Sequence, residues 1–265
     1  MSVSGFFNFD NIKRAYHVSD SYSDVFLDSL QLLQKYNYPT EAHEVITNDG
    51  YKLNIFRIPG KGAPVLLVHG IGDSSDSWLV LGPKFSLAYQ LSDFGYDVWI
   101  FNSRGNRYNK DHINNLPPDM YYNFSYEEIG SKDIPATIDY ILSTTQQLKL
   151  TYIGFSQGYR SQRFQRFDYG ATQNINVYSS PFPPEYDITN ISIPLTLFSS
   201  EIDWFSDKDD VRKLVSKLKT VDKFVYLNES LQFTHLEFVY GSRVNSIINK
   251  PVLNILNELF KGYHN

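Results

Sequence analysis

Leu148-Lys-Leu-Thr-Tyr-Ile-Gly154 runs straight into Phe155-Ser156-Gln157-Gly158, and this join decides the reading of the chain. The first part is an apolar run of strand length, and the second completes a G-x-S-x-G pattern around Ser156. Where that pattern follows a buried strand, the serine stands on a sharp turn with its hydroxyl raised above the sheet. The glycines on either side leave room for the strained backbone. Gly and Ser are common residues, so the motif alone is a weak signal; the strand in front of it supplies the meaning.

Pro64–Val68, Tyr96–Phe101 and Pro194–Ser199 are further apolar runs of the kind found in strands covered on both faces. Helical patterns separate them at Lys84–Phe94, where Gly95 is placed to end the helix, at Ser125–Ser143, with a break or restart at Pro135, and at Val211–Leu218. Lys223–Leu227 reads as a last strand and Asn245–Phe260 as a closing helix with Pro251 inside it. Strands alternating with helices predict an α/β architecture: a mostly parallel sheet with helices on both faces. Ahead of it, Glu44–Thr47 and Tyr51–Ile58 alternate around Asn48-Asp49-Gly50, the signature of an antiparallel hairpin. Residues 23–36 place Phe26, Leu30 and Leu33 on one face of a short helix. With no repeat or linker in between, a single domain over residues 1–265 is expected, residues 1–24 being loosely ordered.

Composition narrows the function. The chain carries 24 Lys and Arg against 29 Asp and Glu, a net charge of −5, which argues against nucleic acid as a partner because phosphates require a basic face. The absence of cysteine removes disulfides, thiolate zinc sites and a cysteine nucleophile together. No stretch approaches the ~18 apolar residues of a membrane span. The first ten residues, Met1 to Asp10, show neither the basic nor the long apolar region of a signal peptide. Nothing resembles a nucleotide cradle or a metal-ligand spacing, so no cofactor and no metal are expected.

A serine nucleophile needs a base, and the base needs an acid to orient it. In α/β-hydrolases the three follow in the order Ser, Asp or Glu, His. Asp203 lies just past the strand Pro194–Ser199, and only His235 and His264 follow it, the latter in the tail. Order therefore selects His235. Taken singly, Asp203 could instead cap a turn among Asp207, Asp209 and Asp210, and His235 could be an ordinary interior histidine. Acyl transfer also requires two donors for the oxyanion. The backbone N–H groups of Gln157, after the nucleophile, and of Ile71, in the loop His69-Gly70-Ile71-Gly72 after Pro64–Val68, are the candidates. The plainer reading of that loop is a Gly-rich turn.

These pieces together resemble the acid lipase family of gastric and lysosomal lipases and their insect relatives. The resemblance rests on EAHEVITNDGYKLNIFRIP, HGIGDSSDSW, LSDFGYDVWIFNSRGNRY, FSYEEIGSKDIPATIDYIL, GFSQG, RFDYG, FSSEIDWFSDKDDV and HLEF, in order from about Val25 to the carboxyl terminus. It implies an α/β-hydrolase fold and hydrolysis of triacylglycerols or sterol esters. It maps Ser156, Asp203 and His235 onto the family triad, and Ile71 and Gln157 onto its oxyanion donors. The family works in secretory or lysosomal compartments, at odds with the missing leader. It also carries a helix, a further core strand and a large cap between the elbow and the RFDYG region. Here only residues 159–170 occupy that interval, and Ser156 and Asp203 are close in sequence. The cap is thus expected to be largely absent, with residues 159–167 standing in for the missing helix. An open site favouring short, soluble esters and a low stability follow. The alternative is an inactive, cap-less homologue that binds lipid or protein.

Overall fold

The computed structural model describes residues 24–155 and 164–260. Among the described residues eight strands form: β1 (Glu41–Ile46), β2 (Tyr51–Ile58), β3 (Pro64–Val68), β4 (Asp97–Ile100), β5 (Asp111–His112), β6 (Thr151–Gly154), β7 (Leu195–Ser200) and β8 (Val221–Leu227). The first six make one sheet in the order β1-β2-β4-β3-β6, with β5 on β2. Pairing is parallel from β4 through β3 to β6 and antiparallel for β1–β2 and β2–β4. β7 and β8 form a separate parallel pair.

The described residues group into two compact units, 24–124 with 128–155 and 237–260, and 125–127 with 164–236. The division follows the strands: the apolar runs anticipated as one sheet are shared between two.

In the first unit the hairpin forms as its turn chemistry predicts. Thr47 Oγ1 donates to Asp49 Oδ1 at 2.6 Å and Gly50 N–H to Thr47 O at 2.9 Å. Gly50 sits at φ +93°, and a side chain there would meet the His112 ring at 2.7 Å. β3 and β4 are buried along their whole length. Leu66, Val68, Trp99 and Phe101 join Leu53, Ile55 and Ile141 in one cluster, while Val65, Leu67, Val98 and Ile100, pointing the other way, are equally buried. Each such side chain contributes roughly 1.5–3 kcal/mol by leaving water, so these two strands anchor the fold.

Helices differ from expectation at their ends. The amino-terminal one breaks in two because Asp28 caps Ser29–Lys35 through a reciprocal bond with Gln31; Leu32 and Leu33 face inward, and Phe26, expected on the buried face, is 76 % exposed. Lys84–Phe94 contracts to Leu87–Asp93, ended by Gly95 at φ +87° as expected. At Pro135 and Pro251 the chain does not stop. A π turn, Ile129–Asp133 or Asn245–Asn249, precedes each helix, Ile134–Thr145 or Lys250–Leu259. Proline donates no N–H and crowds the carbonyl four residues back; a wider turn accommodates both.

Arg104, just beyond β4, ties this unit together. Its Nε and backbone N–H donate to Asp133 at 2.7 and 2.9 Å, and Nη1 and Nη2 to Asp49 at 2.8 and 2.9 Å. The guanidinium lies 3.8 Å from the centre of the Tyr51 ring. Both Arg104 and Asp133 are excluded from solvent.

β6 departs from its expected burial. Its residues alternate half-buried and exposed, with Tyr152 48 % exposed, because among the described residues β6 pairs with β3 alone. In the second unit, helix Lys208–Lys217 connects β7 to β8 and starts three residues earlier than expected, at the cap Asp207. Residues 159–163 lie outside the described residues. Of the segment expected to stand in for the helix, residues 164–167 are described and form no helix; Gln165 bridges to Glu185. Phe167 N–H and the Tyr186 hydroxyl both donate to Glu127, whose single carboxylate organises this segment. Helix Ala171–Tyr178, unforeseen, buries the polar Asn174, which is bonded to Asp168, Tyr169 and Pro181.

Candidate active site

Segments that follow strands supply the described candidate residues. β3 leads into the loop His69–Asp73. His69 Nδ1 lies 2.8 Å from Gly70 O, and Ser103 N–H donates to Nε2 at 3.2 Å, so the ring is neutral with its proton on Nδ1. It also stacks on Phe101, with centroids 5.8 Å apart and planes at 21°. Burial pushes its pKa down to about 4. At the far end, Asp73 N–H closes the turn onto Gly70 O at 3.3 Å. Its carboxylate accepts from Ser74 N–H at 2.8 Å and from the Tyr240 hydroxyl at 2.6 Å. Burial raises its pKa to about 6 against these bonds. Between the two anchors Ile71, the expected oxyanion donor, belongs to the first unit and its side chain is 67 % exposed.

The two anchors respond oppositely to pH. Unfolded, His69 takes a proton below about 6.5; folded, only near 4. Its contribution to stability therefore falls as pH drops through that window, by up to about 3 kcal/mol. Asp73 keeps its proton to about 6 when folded and loses it near 3.8 when unfolded, so it favours folding in acid and that benefit disappears as pH rises. Asp73→Asn is expected to leave the His69 slope uncompensated. Urea titrations at pH 4.5 and 7 should show the variant losing more stability in acid than the parent; equal losses would refute the compensation.

β6 delivers Gly154 and Phe155, whose N–H donates to Val68 O at 3.0 Å. Ser156 and Gln157, the expected nucleophile and second oxyanion donor, lie outside the described residues.

In the second unit the structure brings Asp203 and His235 together. Asp203 follows β7, with its N–H on Ser200 O at 3.3 Å. Its Oδ2 lies 2.7 Å from His235 Nδ1, and its Oδ1 accepts from the N–H groups of Phe205 and Ser206 at 2.9 and 3.0 Å. Both side chains are buried. The carboxylate therefore does two things that the sequence offers as alternatives: it shapes the turn after β7, and it contacts the imidazole. With the proton on Nδ1 facing an acid, Nε2 is the nitrogen able to accept a proton. The Phe205 ring stands 5.2 Å from the imidazole. Sequence reasoning misses Phe205, Asp73 and Tyr240. The first was signalled only by adjacency to Asp203, and nothing local relates the other two. No group of three or more His, Cys, Asp or Glu among the described residues could hold a metal ion, and no described helix is long and apolar enough to cross a membrane.

Known proteins resemble the chain in sequence and in fold. A family model described as a partial alpha/beta-hydrolase lipase region matches residues 30–82, and one for the alpha/beta hydrolase fold matches residues 63–158. The esterase Pf2001 of Pyrococcus furiosus has a similar fold at 15 % sequence identity, with a TM-score of 0.60 over 85 % of this chain and 92 % of that one. The chain thus has the α/β-hydrolase fold. Lipase 1 of Drosophila melanogaster is 50 % identical over 131 residues, 48 % of this chain and 30 % of that protein. Gastric triacylglycerol lipase of Bos taurus is 25 % identical over 362 residues, covering 86 % of this chain and 90 % of the relative. In sequence the chain is thus similar to gastric and related lipases. The matches to Lipase 1 and to lipase member K of Mus musculus span about a third of those proteins' length. Since 86 % of a 265-residue chain is spread over 362 aligned residues, more than a hundred residues of the bovine protein have no counterpart here.

Proposed function

We propose that the chain is a carboxylic ester hydrolase acting on lipid esters, with Ser156 as nucleophile, His235 as base and Asp203 orienting it. The observation that carries this reading is the buried 2.7 Å contact between Asp203 and His235, in a chain whose β6 leads into G-x-S-x-G. His235 Nε2 takes the Ser156 proton as Oγ bonds to the ester carbonyl carbon. The backbone N–H groups of Ile71 and Gln157 hold the resulting oxyanion, each worth roughly 2.7–4 kcal/mol in the transition state. As the intermediate collapses, the C–O bond to the alcohol breaks and His235 returns the proton to the departing oxygen. Water then attacks the acyl-serine and gives a proton to His235; as the bond from the acyl carbon to Oγ breaks, His235 passes that proton to Ser156 and the acid leaves. No cofactor takes part. With the relatives' extra residues lacking, short, soluble esters are the favoured substrates; a rate that climbs with acyl length and lipid interface would contradict that.

Labelling with a fluorophosphonate, with peptide mapping and a Ser156→Ala control, tests the mechanism. An adduct on Ser156, lost in the variant, is the expected result. A folded chain that takes no adduct would overturn it in favour of a binding module built on an inactive hydrolase scaffold.

A further inference from the structure

The turn leaving Asp203 is held by that residue's own carboxylate, and it presents an aromatic row. With Oδ1 fixed by the N–H groups of Phe205 and Ser206, the Phe205 ring is set 5.2 Å from the His235 imidazole at 49°. The Trp204 ring is then 4.8 Å from Phe205 at 40°. Trp204 is 63 % exposed, unlike Trp78 and Trp99, which are 5 % and 0 % exposed. A large apolar side chain is thus held in a fixed place beside the candidate base while most of its surface faces water.

We propose that Trp204, backed by Phe205, binds the apolar alcohol half of the ester and sets leaving-group preference, an inference that rests on His235 acting as the base. The base that takes the nucleophile's proton must deliver it to the departing alcohol oxygen. The first carbons of the alcohol therefore lie within a few ångströms of the imidazole. The apolar surface next along the same turn is the Phe205–Trp204 pair. An aromatic or similarly flat alcohol placed there leaves water and gains an offset or edge-on ring contact. The two backbone bonds to Asp203 form this platform before substrate arrives, so no loop ordering opposes binding. The acyl half, bonded to Ser156 after the first step, is not read by Trp204.

The test compares ethyl butyrate with 2-phenylethyl butyrate, esters sharing one acyl group, on the full chain and on Trp204→Ala and Trp204→Phe. The parent is expected to favour the phenylethyl ester on the order of tenfold in kcat/KM, mainly through KM. In Trp204→Ala that ratio should collapse to about unity, and in Trp204→Phe most of it should return. A parent without preference, or a preference that survives Trp204→Ala, overturns the proposal. A parent that hydrolyses neither ester and takes no fluorophosphonate on Ser156 removes the triad reading and this inference with it; labelling without alcohol preference removes this inference alone.

Discussion

Asp203→Asn is expected to lower kcat for ester hydrolysis about 10⁴-fold, with a far smaller effect on KM. The reason is the division of labour between the two oxygens. Oδ1 accepts two backbone N–H groups, from Phe205 and Ser206, and only an oxygen can stay there. The NH₂ of the introduced amide would therefore face His235 Nδ1. A donor at that position strips Nδ1 of its proton and moves it to Nε2, the nitrogen that in the proposed mechanism accepts from Ser156. The turn keeps its shape while the imidazole adopts the wrong tautomer. Steady-state kinetics on ethyl butyrate decide the matter: a loss below about tenfold would leave Asp203 as a cap for its turn and nothing more.

Arg104→Met is expected to destabilise the first unit by about 3–5 kcal/mol. Asp133 is solvent-excluded and receives two donors from Arg104, so removing the cation leaves a carboxylate stranded in the interior. Asp49 would lose its bidentate partner and keep Lys132 at 3.0 Å, and the Tyr51 ring would lose the cation beside it. Urea unfolding of the variant should show the midpoint falling sharply with little change in slope. The double variant Arg104→Met, Asp133→Leu should recover part of the loss, because a stranded charge, unlike a missing contact, is cured by removing it. Equal stabilities of single and double variants would contradict this account.

What the sequence reveals here is whatever depends on neighbours along the chain. The hairpin is legible from Asn48-Asp49-Gly50, and β3 and β4 from unbroken apolar runs, because turn chemistry and double-sided burial are written locally. The half-exposed Tyr152 is not, since its burial depends on a strand beside β6 and not on β6 itself. Helix Ala171–Tyr178 escapes notice because its core position is Asn174, whose burial is tolerable only through bonds to Asp168, Tyr169 and Pro181. At the candidate site, a place just past a strand points to Asp203 and chain order points to His235, and their side chains lie 2.7 Å apart. Tyr240, by contrast, reaches Asp73 across 167 residues, a contact that no local pattern encodes. Phe205 is adjacent to Asp203, yet its place against the imidazole follows from turn curvature, which the letters do not carry.

β3 has two dependants. Its own end becomes the loop His69–Asp73, and its ladder is the one that steadies β6, the strand leading into Ser156. Both are suspended from one beam. When that beam bends or slides, the loop and the strand travel together, as two hands fixed to the same arm, and their separation changes far less than either position. Acyl transfer is tolerant of drift shared by nucleophile and oxyanion donor and intolerant of drift between them. Hanging both from a strand buried along its whole length converts thermal motion of the sheet into the kind that the proposed chemistry does not feel.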